Sequence, residues 1–451
     1  MIRGSPRISL KRHSGISGHH EVSCRTLTLR SQWVQWSDPI VNHNILSEVK
    51  MAKTTQDFIN EVNEVSAHNY HPIPVVIKQG QGVWVTDVEG KKYIDMLSAY
   101  SALNQGHNNP KIADAIRRQL DTLTLTSRAF HNDQMGPFLK KLTQISGFDK
   151  ALPMNTGAEA VETALKTARR WGYTIKGVEA DKAEIIVCQE NFHGRTTTIC
   201  GFSTDPLCRD GFGPFTPGFI VIPFDDAQAL EDAITPNTVA FLVEPIQGEA
   251  GVKIPAEGYL KKCREITEKN NVLLIADEIQ TGLGRTGKMF CFEHDGIKPD
   301  IVTIGKALGG GYYPVSAVLA SNELMEAVFK PGNHGSTFGG NPLGSAVASA
   351  ALDVIIDDEL VQKSAEMGAY FKAQLEAMES SLIKAVRGKG LLIAIDLTEA
   401  AGKARKYTEA LMEEGVLAKE THETIIRFAP PLVITKEDID WAMEKIKKVL
   451  G

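Results

Sequence analysis

The sequence predicts an α/β protein, with a large domain built on a mostly parallel sheet and a smaller α+β domain. Two observations support this prediction. Between residues 151 and 319, short apolar segments alternate with segments of helical periodicity, as in a parallel sheet covered by helices on both faces. After about residue 345, long helical segments lead to short strands and a final helix, which indicates a separate unit.

The composition excludes several classes of protein. The 451 residues suffice for a large core and more than one domain, and the net charge of −6 offers no general attraction to nucleic acid or membranes. No apolar run is long enough to span a bilayer. The six cysteines show no CxxC and no metal-ligand spacing, which favours a reducing compartment and argues against a disulfide scaffold or a zinc site.

Residues 1–50 differ from the rest of the chain. They are rich in serine and carry seven Lys/Arg against three Asp/Glu, with no acid before Glu21. Two hypotheses stay open: a transit peptide that directs the protein to the mitochondrial matrix, or an extension upstream of a true start at Met51. The second hypothesis gives a cytoplasmic protein, which is the location we predict. In both cases we expect this segment to be disordered.

Residues 51–100 are predicted to form an N-terminal segment that joins the smaller domain. Residues 54–65 favour a helix, and two apolar runs around Gly80-Gln81-Gly82 indicate a hairpin. Tyr100 is expected in a loop that follows a further strand. The large domain is then predicted to span residues 101–344 and the small C-terminal domain residues 345–451.

The predicted large domain follows a regular alternation. After a helix with apolar residues one turn apart, a strand leads into a second helix that begins near Thr156. The strand candidates are residues 151–154, 185–188, 219–222, 240–243, 272–276, 301–304 and 315–319. Ligands of such sheets bind at the carboxyl ends of the strands.

Two charged residues lie at such ends. Lys306 follows the apolar run 301–304, and Asp277 follows the run 272–276. A lysine here can avoid the free-energy cost of a buried cation by losing its proton or forming an imine. A strand-end acid with a strand-end lysine is what a pyridoxal 5'-phosphate (PLP) site requires, because the acid keeps the pyridine nitrogen protonated. Taken alone, each could equally be a solvated lysine or a helix cap.

Two segments could bind a phosphate. Thr156-Gly157-Ala158 begins a helix after a strand, where free N–H groups and the helix dipole favour an anion. The alternative is an ordinary helix cap. A glycine-rich loop that contains Ser336 and Thr337 could also reach a phosphate, from the same subunit or from a neighbour.

Other residues could recognise a flat ring or a carboxylate. Phe192 could lie over a cofactor ring, and Arg195 in the same loop could bind a carboxylate through two donors. Glu249 could pair with the distant Arg427, which apolar residues surround in the sequence. Each of these could instead be a core aromatic or a surface charge.

Two nucleotide-binding hypotheses fail on spacing. Residues 282–287 match GxGxxG and suggest a dinucleotide-dependent oxidoreductase, but five residues separate the motif from its strand, and no acid-terminated strand follows at the expected distance. The segment around Lys306 lacks the glycine and hydroxyl residue of a phosphate-binding P-loop.

Together these segments resemble the class III PLP-dependent aminotransferases, from about Ala67 to the C-terminus. The matching blocks are residues 67–72, 100–107, 153–157, 243–251, 276–282, 305–308 and 427–432. The resemblance implies PLP fold type I and a homodimer with active sites shared between subunits. In such a dimer, residues 101–344 would bind the cofactor.

The resemblance also implies roles for the candidate cofactor-binding residues. Lys306 would form the Schiff base and shuttle the proton, and Asp277 would pair with the pyridine nitrogen. Phe192 would lie on the ring, and Gln280 would contact the ring hydroxyl. The phosphate would be bound by Thr156, Gly157 and Ala158, and by Thr337 of the other subunit. Ser336 would also contact the cofactor.

The same resemblance implies transfer of the δ-amino group of L-ornithine to 2-oxoglutarate. Arg195 and Tyr70 would fix the α-carboxylate and α-amine of ornithine, and Tyr100 would shape the pocket. Glu249 would mask Arg427 during the ornithine half and release it for 2-oxoglutarate, because one pocket must accept a diamine and then a dicarboxylate. The alternative donors are acetylornithine and 4-aminobutyrate, which lack the free α-amine that the two tyrosines would contact.

Overall fold

The structure is a computed structural model that describes residues 53–451. The predicted extension or transit peptide, residues 1–50, lies outside the described residues. Within residues 53–451, every helix is too short or too polar to cross a lipid bilayer.

The described residues form an alternating series of strands and helices. The strands are β1 (Ile77–Gln81), β2 (Trp84–Asp87), β3 (Lys92–Asp95), β4 (Lys150–Met154), β5 (Glu184–Cys188), β6 (Phe219–Ile222), β7 (Thr238–Val243), β8 (Leu273–Asp277), β9 (Ile301–Ile304), β10 (Ser316–Ala320), β11 (Ile383–Lys389), β12 (Leu392–Leu397), β13 (Val416–Leu417), β14 (Lys419–Thr421) and β15 (Ile425–Phe428). The helices are α1 (Thr55–Val65), α2 (Ser98–Ser101), α3 (Pro110–Leu120), α4 (Met135–Ser146), α5 (Gly157–Trp171), α6 (Thr197–Gly201), α7 (Pro206–Arg209), α8 (Ala227–Ala233), α9 (Tyr259–Lys269), α10 (Asn322–Val328), α11 (Pro342–Asp357), α12 (Leu360–Glu376), α13 (Arg405–Glu413) and α14 (Lys436–Leu450).

A seven-stranded sheet forms the centre of the large domain. Its strand order is β4-β10-β9-β8-β7-β5-β6, and the pairs from β9 through β6 are parallel. The prediction of a mostly parallel sheet is confirmed. β10 is the exception, because it runs antiparallel to both of its neighbours. The chain returns from β9 through tight turns at Gly310 and Gly311, without the helical crossover that joins parallel strands.

Helices cover both faces of this sheet. In β7, Ala240 and Leu242 belong to the apolar cluster of α5, whereas Phe241 and Val243 belong to that of α9. Successive side chains of a strand point to opposite faces, so a strand covered on both sides must be apolar throughout. This explains why the central strands are continuous apolar runs and do not alternate with polar residues.

Two smaller four-stranded sheets complete the fold. Their orders are β1-β2-β3-β13 and β11-β12-β15-β14. β3 pairs in parallel with β13, so the N-terminal hairpin shares a sheet with a strand from the C-terminal region. The turn of that hairpin is shorter than predicted and begins later, because Gly80 and Gln81 belong to β1 and pair with Val85 and Trp84 of β2. Gly82, with a φ of +60°, and Val83 connect the two strands. The domain boundaries at residues 100 and 344 stay predictions.

The segment around Tyr100 is not the loop that the sequence predicts. Residues 98–101 form α2, a single left-handed turn in which four consecutive non-glycine residues have φ between 46° and 73°. This conformation is unfavourable for L-residues and normally occurs at isolated positions. Surrounding contacts must therefore hold the turn in place.

Candidate active site

The carboxyl ends of β8 and β9 bring two charged residues to one edge of the central sheet. β8 ends at Asp277, which is paired with Thr303 of β9, and Lys306 follows β9 by two residues. Lys306 has a φ of 43°, so a sharp turn directs the chain away from the sheet at this point. Both residues line a cavity of about 180 Å³.

This cavity contains seven of the predicted site residues. Those that line it are Gly157, Ala158, Phe192, Glu249, Asp277, Gln280 and Lys306. They come from distant parts of the chain, and the sheet edge and the start of α5 bring them together. Burial lowers the pKa of Lys306, although the nearby carboxylates of Glu249 and Asp277 oppose the change.

The Asp277 carboxylate is held by three donors. Its Oδ1 atom accepts hydrogen bonds from Thr303 Oγ1 at 3.0 Å and from the Ile279 N–H at 3.1 Å. Its Oδ2 atom accepts from His193 Nδ1 at 2.6 Å. Burial alone would lower the pKa of His193, but the bond to Asp277 and the charge of Asp277 outweigh burial and raise it. The acid is thus fixed in orientation as well as buried.

The first turn of α5 faces the same cavity. Thr156 caps the helix: its hydroxyl accepts from the Glu159 N–H at 3.2 Å, and the Glu159 carboxylate accepts from the Thr156 N–H. Gly157 is needed for close packing, because a Cβ there would lie 3.1 Å from the side chain of Ile279. Gly157 and Ala158 therefore bring the positive end of a helix dipole to the cavity.

Glu249 and Arg427 form an ion pair beside Lys306. Arg427 is almost fully buried, and its Nη1 atom donates to Glu249 Oε1 at 2.8 Å and to the Gly248 carbonyl at 3.0 Å. Gln280 donates to the same Glu249 oxygen at 3.3 Å. Burial alone would raise the pKa of Glu249, but the charge and hydrogen bond of Arg427, together with the charge of Lys306 and the hydrogen bond of Gln280, outweigh burial and lower it. The arginine also lies 5.4 Å from the centre of the Tyr100 ring.

A second, larger cavity holds the remaining predicted substrate residues. Tyr70, Tyr100 and Arg195 all line this space of about 660 Å³. The Arg195 guanidinium lies 5.6 Å from the ring centre of Phe192. Because Phe192 lines the first cavity and Arg195 the second, this contact lies where the two cavities adjoin. Tyr70 is 67% exposed, so it borders the cavity without being fixed inside it.

The structure does not bring every predicted residue into the first cavity. Ser336 accepts a hydrogen bond from Asn155 at 2.8 Å, close to the start of α5 but outside the lining of the cavity. Thr337 is exposed, and its side chain does not line either cavity. Thr156 acts as the cap of α5 and is also absent from the lining.

Three residues at the site were not assigned a role from the sequence. His193 and Thr303 hold Asp277, and Glu244 accepts from the Phe192 N–H at 3.1 Å. Burial raises the pKa of Glu244 to about 8. Two of these residues had a feature in the sequence that could have indicated a role. Thr303 is a polar residue within an otherwise apolar strand, and His193 directly follows Phe192.

The residues present fit a flat, phosphorylated cofactor. A carboxylate can accept about four hydrogen bonds, so Asp277 retains capacity for a ring N–H. The Nε2 atom of His193 is buried beside the cavity without a partner among residues 53–451, and such an atom is normally satisfied by water or a ligand. Phe192 lines the same space, and α5 offers its N-terminus to a phosphate.

Comparison with known proteins agrees with this geometry. Residues 65–450 match the aminotransferase class-III family. A protein of Brevibacillus brevis named ornithine aminotransferase is 60% identical over 400 residues, which cover 89% of this chain and 99% of that protein. The ornithine aminotransferase of Bacillus subtilis is 57% identical over 396 residues, which cover 88% and 98% of the two chains.

Solved structures give the same result. An ornithine aminotransferase from Toxoplasma gondii superimposes with a TM-score of 0.87 at 46% identity, covering 89% of this chain and 95% of that one. An acetylornithine aminotransferase from Elizabethkingia anophelis gives a TM-score of 0.80 at 50% identity, covering 88% and 99%. Fold, sequence and site geometry agree, and the chain belongs to the class-III aminotransferases.

Proposed function

We propose that this aminotransferase uses PLP to move the δ-amino group of L-ornithine to 2-oxoglutarate. The products are glutamate-5-semialdehyde, which cyclises to pyrroline-5-carboxylate, and glutamate. The observation that supports this substrate pair is the ion pair between the buried Arg427 and the partly buried Glu249, beside Lys306. The close relatives named ornithine aminotransferase support the same proposal.

The chain would hold PLP through the residues of the first cavity. Gly157 and Ala158 would bind the phosphate, Phe192 would lie on the ring, and Gln280 would contact the ring hydroxyl. The Asp277 carboxylate would accept a hydrogen bond from the protonated pyridine nitrogen. When bound, PLP supplies an electron sink for the carbon that carries the amino group.

Lys306 would bind the cofactor covalently and act as the general base once it is released. Its pKa is lowered by burial, so a larger fraction is a neutral amine able to accept a proton near neutral pH. The Nζ atom of Lys306 would accept the proton that leaves the δ-carbon of ornithine and would hold it inside the cavity for the next transfer. The fixed turn at Lys306 keeps that atom over the cavity.

The second cavity would bind the far end of ornithine. Arg195 would contact its α-carboxylate through two parallel donors, and Tyr70 its α-amine, while Tyr100 would limit the width of the channel. This orientation leaves the δ-amine at the cofactor. Acetylornithine lacks the free α-amine, and 4-aminobutyrate lacks the α-amine and places its carboxylate one carbon closer.

The ion pair would control which substrate reacts. With Glu249 on Arg427, the positive charge of Arg427 would be balanced when the δ-ammonium group enters the cavity. In the second half of the reaction, the α-carboxylate of 2-oxoglutarate would replace Glu249 as the partner of Arg427. A substrate can shift such an equilibrium only through different affinities for its two states, and a carboxylate supplies that difference.

We also propose a homodimer with shared active sites. The loop that contains Ser336 and Thr337 is partly exposed in a single chain, and in a dimer it would reach the phosphate of the neighbouring subunit. This arrangement would account for Thr337 lying outside both cavities of its own chain.

A spectroscopic titration tests the proposed function. L-Ornithine should remove the visible absorption band of the PLP-loaded protein, and 2-oxoglutarate should restore it. o-Aminobenzaldehyde in the same cuvette should trap pyrroline-5-carboxylate and report attack at the δ-amine. If ornithine leaves the band unchanged and acetylornithine or 4-aminobutyrate removes it, the protein uses that compound as its amine donor. If no band forms after reconstitution with PLP, the proposal that the protein binds PLP is wrong.

A further inference from the structure

The glycine motif at residues 282–287 has no part in the proposed reaction, yet it carries a fully buried arginine. The side chain of Arg285 is 0% exposed. Within residues 53–451, its guanidinium has no carboxylate within 4.0 Å. Burial lowers the pKa of Arg285 to about 9, so the group remains a cation at neutral pH. The charge of Asp95 favours the cation from beyond ion-pair distance, so the direct stabilisation of this buried guanidinium must come from hydrogen-bond acceptors.

Four acceptors surround this guanidinium, and they come from separate segments of the chain. Nη1 donates to the carbonyl oxygens of Leu391 at 2.9 Å and Pro430 at 2.6 Å. Nη2 donates to Ser98 Oγ at 3.1 Å and to Asn104 Oδ1 at 2.5 Å. The planar fork of arginine can bridge several acceptors in fixed directions, which a lysine cannot do.

Two of these segments carry substrate residues. Ser98 begins the left-handed turn α2 that contains Tyr100, and Pro430 follows Arg427 by three residues. Ser98 Oγ also donates to the Ala429 carbonyl at 2.6 Å. Arg285 and Ser98 therefore connect the turn that carries Tyr100 to the strand end that carries Arg427.

The turn depends on such contacts because its backbone is unfavourable. Asp95 Oδ1 accepts the N–H groups of Leu97 and Ser98, both at 2.8 Å, and so fixes the entry to the turn. Asp95 Oδ2 contacts His107 Nε2 at 2.7 Å. Arg285 fixes the same first residue, Ser98, by donating a hydrogen bond to its side-chain hydroxyl.

We propose that Arg285 is a positioning residue that holds the Tyr100 ring against the Arg427 guanidinium and thereby sets the efficiency with substrates that carry a carboxylate on the reacting carbon. The glycines around it serve close packing: a Cβ at Gly287 would lie 3.0 Å from Ala365, and one at Gly390 would lie 2.4 Å from the backbone of Thr286. This inference rests on the proposed function for the choice of substrates.

Two amine donors that react with the same PLP-loaded form provide the test. L-Glutamate carries a carboxylate on the reacting carbon and needs Arg427, whereas the reacting δ-carbon of L-ornithine carries none. The variant Arg285→Lys keeps the charge and loses the fork. We expect the ratio of kcat/KM for glutamate to kcat/KM for ornithine to fall by about tenfold or more.

Amide hydrogen exchange supplies a readout that does not depend on turnover. The peptide covering residues 96–104 should exchange faster in Arg285→Lys, because the turn loses one of its anchors. Ser98→Ala, a smaller change, removes one of the two acceptors of Nη2 and the bond to the Ala429 carbonyl. Like Arg285→Lys, it should lower the glutamate-to-ornithine ratio of kcat/KM and speed the exchange of residues 96–104. If Arg285→Lys does not fold, Ser98→Ala alone tests the inference.

A matched control separates positioning from general destabilisation. Arg264 is a partly buried arginine whose Nη1 atom lies 2.7 Å from the Asp300 carboxylate. Asp300 directly precedes β9, at the opposite end of that strand from Lys306. Arg264→Lys should leave the donor ratio and the exchange of residues 96–104 unchanged. Equal loss with both donors, or unchanged exchange in both test variants, would overturn the inference. If L-ornithine does not react with the wild-type protein, the proposed function is wrong. The exchange rate of residues 96–104 would still test the role of Arg285 in that case.

Discussion

Among single residues, the buried charges around Lys306 depend on one another. Arg427 is paired with Glu249 at 2.8 Å, and Glu249 opposes the lowering of the pKa of Lys306. Removing one member of a buried pair leaves the other without compensation, which is strongly unfavourable. A change at Glu249 should therefore alter which substrate charge the pocket accepts.

We predict that Glu249→Gln shifts donor preference toward L-glutamate. The substitution leaves Arg427 without a charged partner, so a substrate carboxylate no longer has to displace one. Hydrogen bonds to charged groups are worth about 1.5–3 kcal/mol, so kcat/KM for glutamate relative to ornithine should rise by roughly tenfold or more. Single-turnover loss of the visible cofactor band, measured with each donor, gives this ratio.

The control for this substitution is Glu231→Gln. Glu231 also pairs with a cation, Lys269 at 3.0 Å, but the pair is exposed and far from Lys306 in the fold. Exposed pairs contribute little, and the donor ratio should not change. An unchanged ratio in Glu249→Gln would contradict the proposed masking of Arg427.

The ability to predict site residues from the sequence differed from residue to residue. Asp277 and Lys306 could be predicted to lie at strand ends, because each charged side chain comes within two residues of the end of a short, largely apolar run. Thr303 could not, since a single threonine within a buried strand is also found in ordinary cores. Arg285 could not either, because its four acceptors, two backbone carbonyls and two side-chain oxygens, are brought together only by the tertiary fold.

At the scale of elements, apolar periodicity predicts regular strands and helices but not the conformation of the segments between them. In α5, Val161, Ala164, Leu165 and Ala168 recur at helical spacing in the sequence, and all four are buried against the sheet. Helix α2 gave no such signal, because Ser98-Ala99-Tyr100-Ser101 contains no glycine to indicate a left-handed turn. Its conformation is imposed by Asp95 and Arg285, which lie outside it.

We predict opposite effects for two alanine-to-glycine substitutions. Ala99 is exposed and has a φ of 47° in α2, so Ala99→Gly should leave stability unchanged or raise it by up to about 1 kcal/mol. Ala373 is exposed within α12, so Ala373→Gly should lower stability by about 1 kcal/mol. Thermal midpoints of the two variants provide the measurement. Equal destabilisation would contradict the left-handed assignment of α2.

At the scale of the whole molecule, the core holds several titratable groups whose charged forms are disfavoured. Burial raises the pKa of Glu278 to about 7 and that of Glu244 to about 8. Glu278 accepts hydrogen bonds from Thr281 Oγ1 at 2.6 Å and from the Phe292 N–H at 2.8 Å, which only partly offset its burial. Between about pH 5 and the raised pKa, the folded protein retains protons that the unfolded chain has lost. Stability should therefore fall as pH rises through this window.

We predict that Glu278→Gln weakens this pH dependence. Each group contributes a slope of at most about 1.4 kcal/mol per pH unit, so the decline in unfolding free energy from about pH 5 to pH 7 should be smaller in the variant by roughly 1–3 kcal/mol. Glutamine can still accept from the Phe292 N–H and donate to the Thr281 hydroxyl. Urea unfolding of the PLP-free protein at several pH values measures the slope, with the exposed Glu265→Gln as control. A variant that declines as steeply as wild type would mean that Glu278 is ionised in the folded core, stabilised by its two donors.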